Sequence, residues 1–240
     1  MILDKIKIYS DRKSFIQLVT TENGPSLSRL CEAGKNIMEY DSRKTTSKWD
    51  SDILQFETND RVTPPPKHQI LFIGSSSIRK WDLEKWFPDL KTINRGFGGS
   101  HIAHTNRYLH RIAIPYEPET IILYAGDNDL SVGKTPEALL LDIAWFIWKI
   151  KLSLPGCFIK IISLKPSPQL TELLPKIVQL NTYIQNLCKI SGINVQFINV
   201  FPRMLTKDQK PDCKYFESDG LHLNEQGYNL WTEIISKSQK

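Results

Sequence analysis

Four short segments hold side chains whose types and spacing suit acyl transfer. Gly74-Ser75-Ser76-Ser77 offers hydroxyls in a small-residue turn. Such a turn lets the chain bend sharply, so that backbone N–H groups face a bound oxyanion. Asn94-Arg95-Gly96-Phe97-Gly98-Gly99-Ser100 offers a pliable loop whose N–H groups can approach a substrate closely. Ala125-Gly126-Asp127-Asn128-Asp129 offers the Asn128 amide as a donor. Ser218-Asp219-Gly220-Leu221-His222 places a carboxylate three residues before an imidazole. An aspartate there can hold one ring nitrogen and leave the other to take a serine proton. Each segment alone is weak evidence. The serine turn also suits a phosphate cradle, the glycine loop an ordinary turn, Asn128 an Asx-turn, and DxxH many surface loops. The residue types leave Ser75, Ser76 and Ser77 open as the nucleophile.

The elements that must position these residues give the conjunction its force. Five short apolar runs read as strands: 69–73, 91–94, 120–124, 158–163 and 195–200. Their nearly continuous apolar character marks a parallel sheet covered on both faces. Helical periodicity fills the intervals 101–112, 135–153, 171–190 and 225–237, with a short helix or turn near 80–87. This alternation predicts an α/β fold in which sites gather beyond the carboxyl ends of the strands. All four segments follow predicted strands. They should therefore meet at one sheet edge and supply a nucleophile, a base, an orienting acid and an oxyanion hole. Upstream, 46–58 places Trp49, Ile53 and Phe56 on one helical face, and Pro64–Pro66 then ends any helix. The prolines read as a stiff connector rather than an SH3-type ligand, because a strand follows directly.

The four segments, in this order, resemble the blocks of the SGNH (GDSL-type) hydrolase family. Gly74-Ser75-Ser76 is similar to the first block, NRGFGG to the second, GDND to the third and DGLH to the last, covering 69–235. The stretch GSSSIR, the lead-in WDSDILQFETNDRVTPPP and KPSP at 165–168 resemble a bacterial subgroup. The resemblance implies a three-layer α/β/α, flavodoxin-like fold with a five-stranded parallel sheet. It implies ester hydrolysis through an acyl-serine, without metal or organic cofactor. Ser76, third in its block, would be the nucleophile, His222 the base and Asp219 its partner. The Ser76 and Gly99 amides with the Asn128 side chain would form the oxyanion hole. Ser75 stands where the family commonly has Asp, which keeps Ser75 and Ser77 as rivals. Ser75, Phe97, His101 and Lys165 are candidate substrate contacts. Trp81, Trp86 and Phe97 lie near the predicted mouth, where they either stack on a sugar or pack helices on the sheet. The substrate would be a small-molecule ester: a short acyl ester, an acetylated sugar or a lysolipid. Transfer of the acyl group to another acceptor, a non-catalytic anion- or carbohydrate-binding module and a flavodoxin-type protein are the competing readings. No GxSxG occurs, which disfavours the α/β-hydrolase fold.

Composition narrows the field further. At 240 residues the chain can bury a core without metals or disulfides. Its 31 basic and 26 acidic residues are dispersed, so the net +5 marks no nucleic-acid stripe. Cys31, Cys157, Cys188 and Cys213 form no CxxC and read as free thiols of a reducing compartment. The start, MILDKIKIYSDRK, lacks an apolar core of the secretory type, and the apolar stretch Ala138–Leu154 is short and contains charges. The expectation is a cytoplasmic protein without an integral membrane segment. His101, His104 and His110 have HxxH-like spacing but no accompanying ligand cluster, so no metal is assigned. Residues 1–45 read as a helical extension of unassigned role preceding a hydrolase domain at 46–240. Oligomeric state is not legible.

Overall fold

The computed structural model of the chain describes residues 48–191 and 194–238. The expected extension at 1–45, and Cys31 with it, lies outside the described residues. Helix α1 spans Asp50–Val62. Strand β1 (Ile70–Gly74) leads into two single-turn helices, α2 (Ser76–Arg79) and α3 (Leu83–Trp86). Strand β2 (Thr92–Gly96) precedes α4 (Ile102–Ile112). Then come β3 (Thr120–Tyr124), α5 (Asp127–Ser131), α6 (Pro136–Ser153) and β4 (Phe158–Ile162). A 3-10 stretch at Pro168–Leu173 runs into α7 (Leu174–Ile190), followed by β5 (Val195–Ile198) and α8 (Glu225–Lys237).

The five strands form one parallel sheet in the order β2-β1-β3-β4-β5. Successive strand residues serve opposite faces, as a two-residue period requires. Leu71, Ile73, Ile121, Leu123, Ile159 and Ile161 join the core beneath α1, α4, α6 and α7. Phe72, Ile122, Tyr124, Ile162 and Ile198 join the core beneath α3 and α8, around Trp81 and Trp231. The chain passes from β1 outward to β2 and returns past β1 to β3. The crevice beyond β1 and β3 is therefore the topological switch point, where open α/β sheets bind ligands.

Element boundaries depart from the sequence expectation at particular places. Helix α1 continues to Val62 rather than ending at 58, because the restriction imposed by Pro64 acts first on Thr63. The helix expected from 171 begins at Leu174, where Pro175 fits a first turn. The short element expected near 80–87 is α3, and a further unexpected turn, α2, precedes it. Asp82 starts α3 by accepting the Lys85 N–H at 3.1 Å. Thr135 caps α6 by accepting from the Ala138 N–H, and Pro136 occupies the first helical turn. Most of α6 is buried. Among the described residues, no helix is long and apolar enough to cross a membrane.

Two glycines permit the turn after β1. Gly74 has φ +144°, and a Cβ there would lie 1.9 Å from the Tyr124 carbonyl oxygen. That oxygen accepts the Ser75 N–H at 3.0 Å, so β3 grips the turn directly. Gly96, paired with Gly74 in register, lets the end of β2 approach the α2 backbone: a Cβ there would meet the Arg79 nitrogen at 2.2 Å. Gly74→Ala should destabilise the protein by about 2 kcal/mol or more in urea unfolding. Gly156→Ala is the control, since nothing lies within 4 Å of that Cβ, and it should change stability by less than about 0.5 kcal/mol.

Candidate active site

The three serines after β1 have different environments. Ser75 is buried at 2% exposure and Ser77 at 2%, whereas Ser76 is half-buried. Ser76 begins α2, with Ser75 before it in extended conformation. The Ser75 carbonyl accepts the Ile78 and Arg79 N–H groups, and the Ser77 carbonyl accepts the Tyr228 hydroxyl at 3.0 Å. The turn is thus tied to β3 on one side and α8 on the other.

His222 arrives from the far end of the chain. Its Nε2 lies 3.1 Å from Ser76 Oγ, and its Nδ1 lies 2.5 Å from Asp219 Oδ2. The second Asp219 oxygen accepts the Leu221 and His222 backbone N–H groups, each at 2.9 Å. The His222 ring hydrogen bond, aided by those two amides, holds the Asp219 carboxyl well below the usual carboxylate range. An ionised Asp219 places the ring proton on Nδ1, so Nε2 presents its lone pair to Ser76. The loop is closed by the Glu217 N–H to the His222 carbonyl at 2.8 Å and by a bridge between Phe216 and Leu223. Asn224 caps α8 through the Gly227 N–H and donates to the Lys214 and Phe216 carbonyls. The Gln169 N–H reaches the Gly220 carbonyl at 3.0 Å and ties the loop to the segment after β4.

The glycine loop lies over the same turn. The Phe97 N–H and the Ser100 hydroxyl both donate to the Gly74 carbonyl, at 3.0 and 3.3 Å. Asn128, at the start of α5, donates to the Ser100 carbonyl at 3.0 Å. One of its two amide hydrogens remains for a ligand. Among the described residues, neither the Ser76 nor the Gly99 backbone N–H meets an acceptor. Ser76, the Gly99 loop, Asn128, Asp219 and His222 therefore converge as the topology predicts.

Several expected substrate contacts are placed elsewhere. Phe97 is fully buried and packs edge-on to Tyr108, because the loop turns its ring into the core beneath α4. Ser75 faces inward for the same reason that frees Ser76: adjacent positions of the turn point oppositely. Lys165 is 2% exposed and ion-pairs with Asp127, and its ammonium also reaches the Tyr124 hydroxyl at 3.0 Å. Burial acts to raise the Asp127 carboxyl, but the Lys165 charge and the Lys165 and Tyr124 hydrogen bonds outweigh it and lower it. Trp81 is core, whereas Trp86 is half-buried beside Asn224, Gln226 and Asn229 in an open groove of about 550 Å³. His101 is half-buried at the N-cap of α4, and its N–H donates to His104 Nδ1 at 3.2 Å.

The sequence reading also missed what holds the glycine loop. Trp49, expected only as an apolar helical position, donates its indole N–H to the Gly98 carbonyl at 2.8 Å and packs on His104 with ring centroids 3.8 Å apart. Nothing in the local pattern signals this contact across 49 positions. Behind α4, half-buried Lys134 bridges the buried Asp129 and Asp142, and Asp129 accepts the Ile102 N–H at 3.2 Å. Among the described residues, the metal-ligating types that gather most closely are Glu217, Asp219 and His222, within 4.8 Å. Asp219 and His222 already contact one another directly, and Glu217 binds Lys80 at 2.9 Å, which leaves no space for an ion between the first two.

Residues 77–230 match the GDSL-like Lipase/Acylhydrolase family, more than half of the chain. The chain belongs to that family. It is an ester hydrolase of the SGNH/GDSL type. Its fold is similar to that of a Streptococcus pneumonia protein named for platelet activating factor, with TM-score 0.71 and 20% identity over 90% of this chain and 100% of that one. A GDSL-like lipase from Bacteroides thetaiotaomicron gives TM-score 0.69 and 19% identity over 78% and 96% of the two chains. A Clostridium thermocellum family 3 carbohydrate esterase gives 0.55 and 18% over 71% and 94%. A search of the curated proteins finds no relative of this GDSL-like hydrolase.

His101 and His104, at the start of α4, make stability depend on pH. Burial, then the charges of Lys134 and Lys48, push His101 down to about 4. Burial, with His101 and nearby cations, pushes His104 down to about 3. Both rings bind protons more readily unfolded than folded, so stability is full above about 6.5 and falls as pH drops towards 4. Asp129 acts oppositely, because burial raises it to about 6 and its neutral form favours the fold. Two histidines oppose one aspartate, so the melting temperature should fall between pH 6.5 and 4. His104→Gln should flatten that fall, as thermal unfolding across pH would show.

Proposed function

We propose that this hydrolase cleaves a carboxylic ester through an acyl-serine intermediate, with Ser76 as nucleophile, His222 as base and Asp219 as its orienting acid. The observation that carries this reading is the unbroken hydrogen-bonded line from Ser76 Oγ through His222 to Asp219. His222 Nε2 takes the Ser76 proton as Oγ attacks the ester carbonyl. The carbonyl π pair moves onto oxygen, and the resulting oxyanion is held by the Ser76 and Gly99 amides and the Asn128 side chain. The tetrahedral adduct then collapses: the bond to the alkoxy oxygen breaks, and the imidazolium protonates the leaving alcohol. Water attacks the acyl-serine with His222 again as base, releasing the acid and restoring the Ser76 hydroxyl.

Physical considerations support each role. Donors set in place before reaction need no reorganisation as charge develops on the oxyanion. The Ser100 carbonyl holds the Asn128 side chain in position. Asp219 stabilises the imidazolium that forms transiently, and its low proton affinity keeps it ionised through that step. The half-buried Ser76 and the open crevice suit a small ester, such as a short acyl ester or an acetylated alcohol.

A fluorophosphonate probe should label Ser76, read by peptide mass spectrometry, and Ser76→Ala and His222→Ala should each abolish labelling. Labelling at Ser75 or Ser77 would remove the nucleophile assignment. Asn128→Ala should lower kcat by about 10²–10³. Asp219→Asn should cost about two orders of magnitude less than His222→Ala. Wild-type turnover in the Asn128 variant would refute the oxyanion-hole role.

A further inference from the structure

Two cations beside the glycine loop have no part in the reaction scheme. Arg79 lies three residues after Ser76, so both share one side of the single turn α2. Its guanidinium carbon is 2.7 Å from the place a Gly98 Cβ would occupy, and both terminal nitrogens are 3.0 Å from it. Lys48 Nζ is 3.9 Å from the place a Gly99 Cβ would occupy. The absence of a side chain at Gly98 therefore admits the Arg79 head, and Lys48 lies in ordinary contact range of Gly99, so two cationic heads stand against the glycine loop. Both residues are exposed.

The neighbouring acids are engaged elsewhere. Glu217 binds Lys80, Asp219 binds His222, Asp129 binds Lys134 and Asp50 accepts the Tyr108 hydroxyl. Among the described residues, neither Arg79 nor Lys48 meets a carboxylate. Lys48 is seated over the Trp49 ring, 4.6 Å from its centroid, and that indole is bonded to the Gly98 carbonyl. The cation is thus held by the same side chain that pins the loop. Two cations that meet no carboxylate among the described residues thus lie against the glycine loop, one of them a planar fork suited to two-point recognition of an oxyanion group.

We infer that Arg79 and Lys48 form a subsite for an anionic group, a carboxylate or phosphate, carried by the ester substrate. The inference rests on the serine-hydrolase reading above and names the substrate class that site selects. An anion at the subsite would be drawn to the crevice and oriented there, whereas a neutral ester would leave both cations to water. The charges are exposed, so the preference should be moderate and should weaken with salt.

The test compares matched esters on the full chain. Monoethyl succinate against ethyl butyrate places the charge on the acyl side. Monoacetylglycerol phosphate against monoacetylglycerol places it on the alcohol side. In at least one pair the anionic ester should be favoured by about tenfold in kcat/KM. The Arg79→Gln/Lys48→Gln double variant and 0.5 M salt (an assay condition, roughly five times the ionic strength that gives a 10 Å Debye length) should each bring that ratio towards one. The ratio is the readout because these cations also add to the field at the oxyanion, so rates on neutral esters will move as well. A preference for the neutral member in both pairs, or a ratio unchanged in the double variant, overturns the subsite. Ser76 labelling and turnover of the neutral esters report separately on the catalytic reading. Should that reading fail, Ser76→Ala protein titrated with the two anionic esters still decides the matter through the NMR signal of the Trp49 indole. A shift that disappears in the double variant supports the subsite, and no shift with either ester overturns it.

Discussion

The contact between Ser76 Oγ and His222 Nε2 joins residues 146 positions apart, and much of the architecture serves to hold it at 3.1 Å. One end is fixed by the sheet. The Ser75 N–H on the Tyr124 carbonyl, the Tyr228 hydroxyl on the Ser77 carbonyl and the loop bonds to Gly74 leave the serine turn little freedom. The other end is fixed by a loop folded on itself. Asp219 accepts two backbone N–H groups within its own turn before it meets His222, and Asn224 clamps the exit into α8. Proton transfer between two side chains tolerates displacements well under 1 Å, so the proposed mechanism requires rigid anchoring at both ends.

Buried charge surrounds this contact. Lys165 and Asp127 pair beneath the strand ends, and Lys134 joins Asp129 and Asp142 behind α4. Such pairs add little net stability, because the cost of removing two ions from water offsets their attraction. Their geometry is nonetheless demanding, since an uncompensated partner left behind would be costly. Asp127 and Asp129 flank Asn128, and each is locked to a lysine. The amide donor between them is therefore held by side chains facing away from the crevice on either side.

Some features of the sequence misled because they depend on direction rather than identity. Phe97 and Lys165 each follow a strand, as Ser76 and Asn128 do, yet both turn into the interior. Position after a strand places a backbone at the sheet edge but does not set which way its side chain points. Trp49 shows the converse. Its apolar character was legible, but its indole bond to Gly98 depends on how α1 lies against the loop. The end of α1 at Val62, by contrast, follows from a local steric rule imposed by Pro64, and a closer local reading suffices to find it.

The alternation of strands and helices, the parallel sheet and the four segments at its edge were all legible in the order of residue types. Those follow from short-range physics: apolar periodicity, the conformational reach of glycine and the placement of polar residues after strands. Folding in three dimensions selects which serine faces His222, because three adjacent serines have the same chemistry and differ only in orientation. It likewise decides that Lys165 is consumed by Asp127, while Arg79 and Lys48 lie against the glycine loop. Electrostatic partnership is fixed by distances between segments far apart in the chain, and such distances exist only once the sheet has brought those segments together.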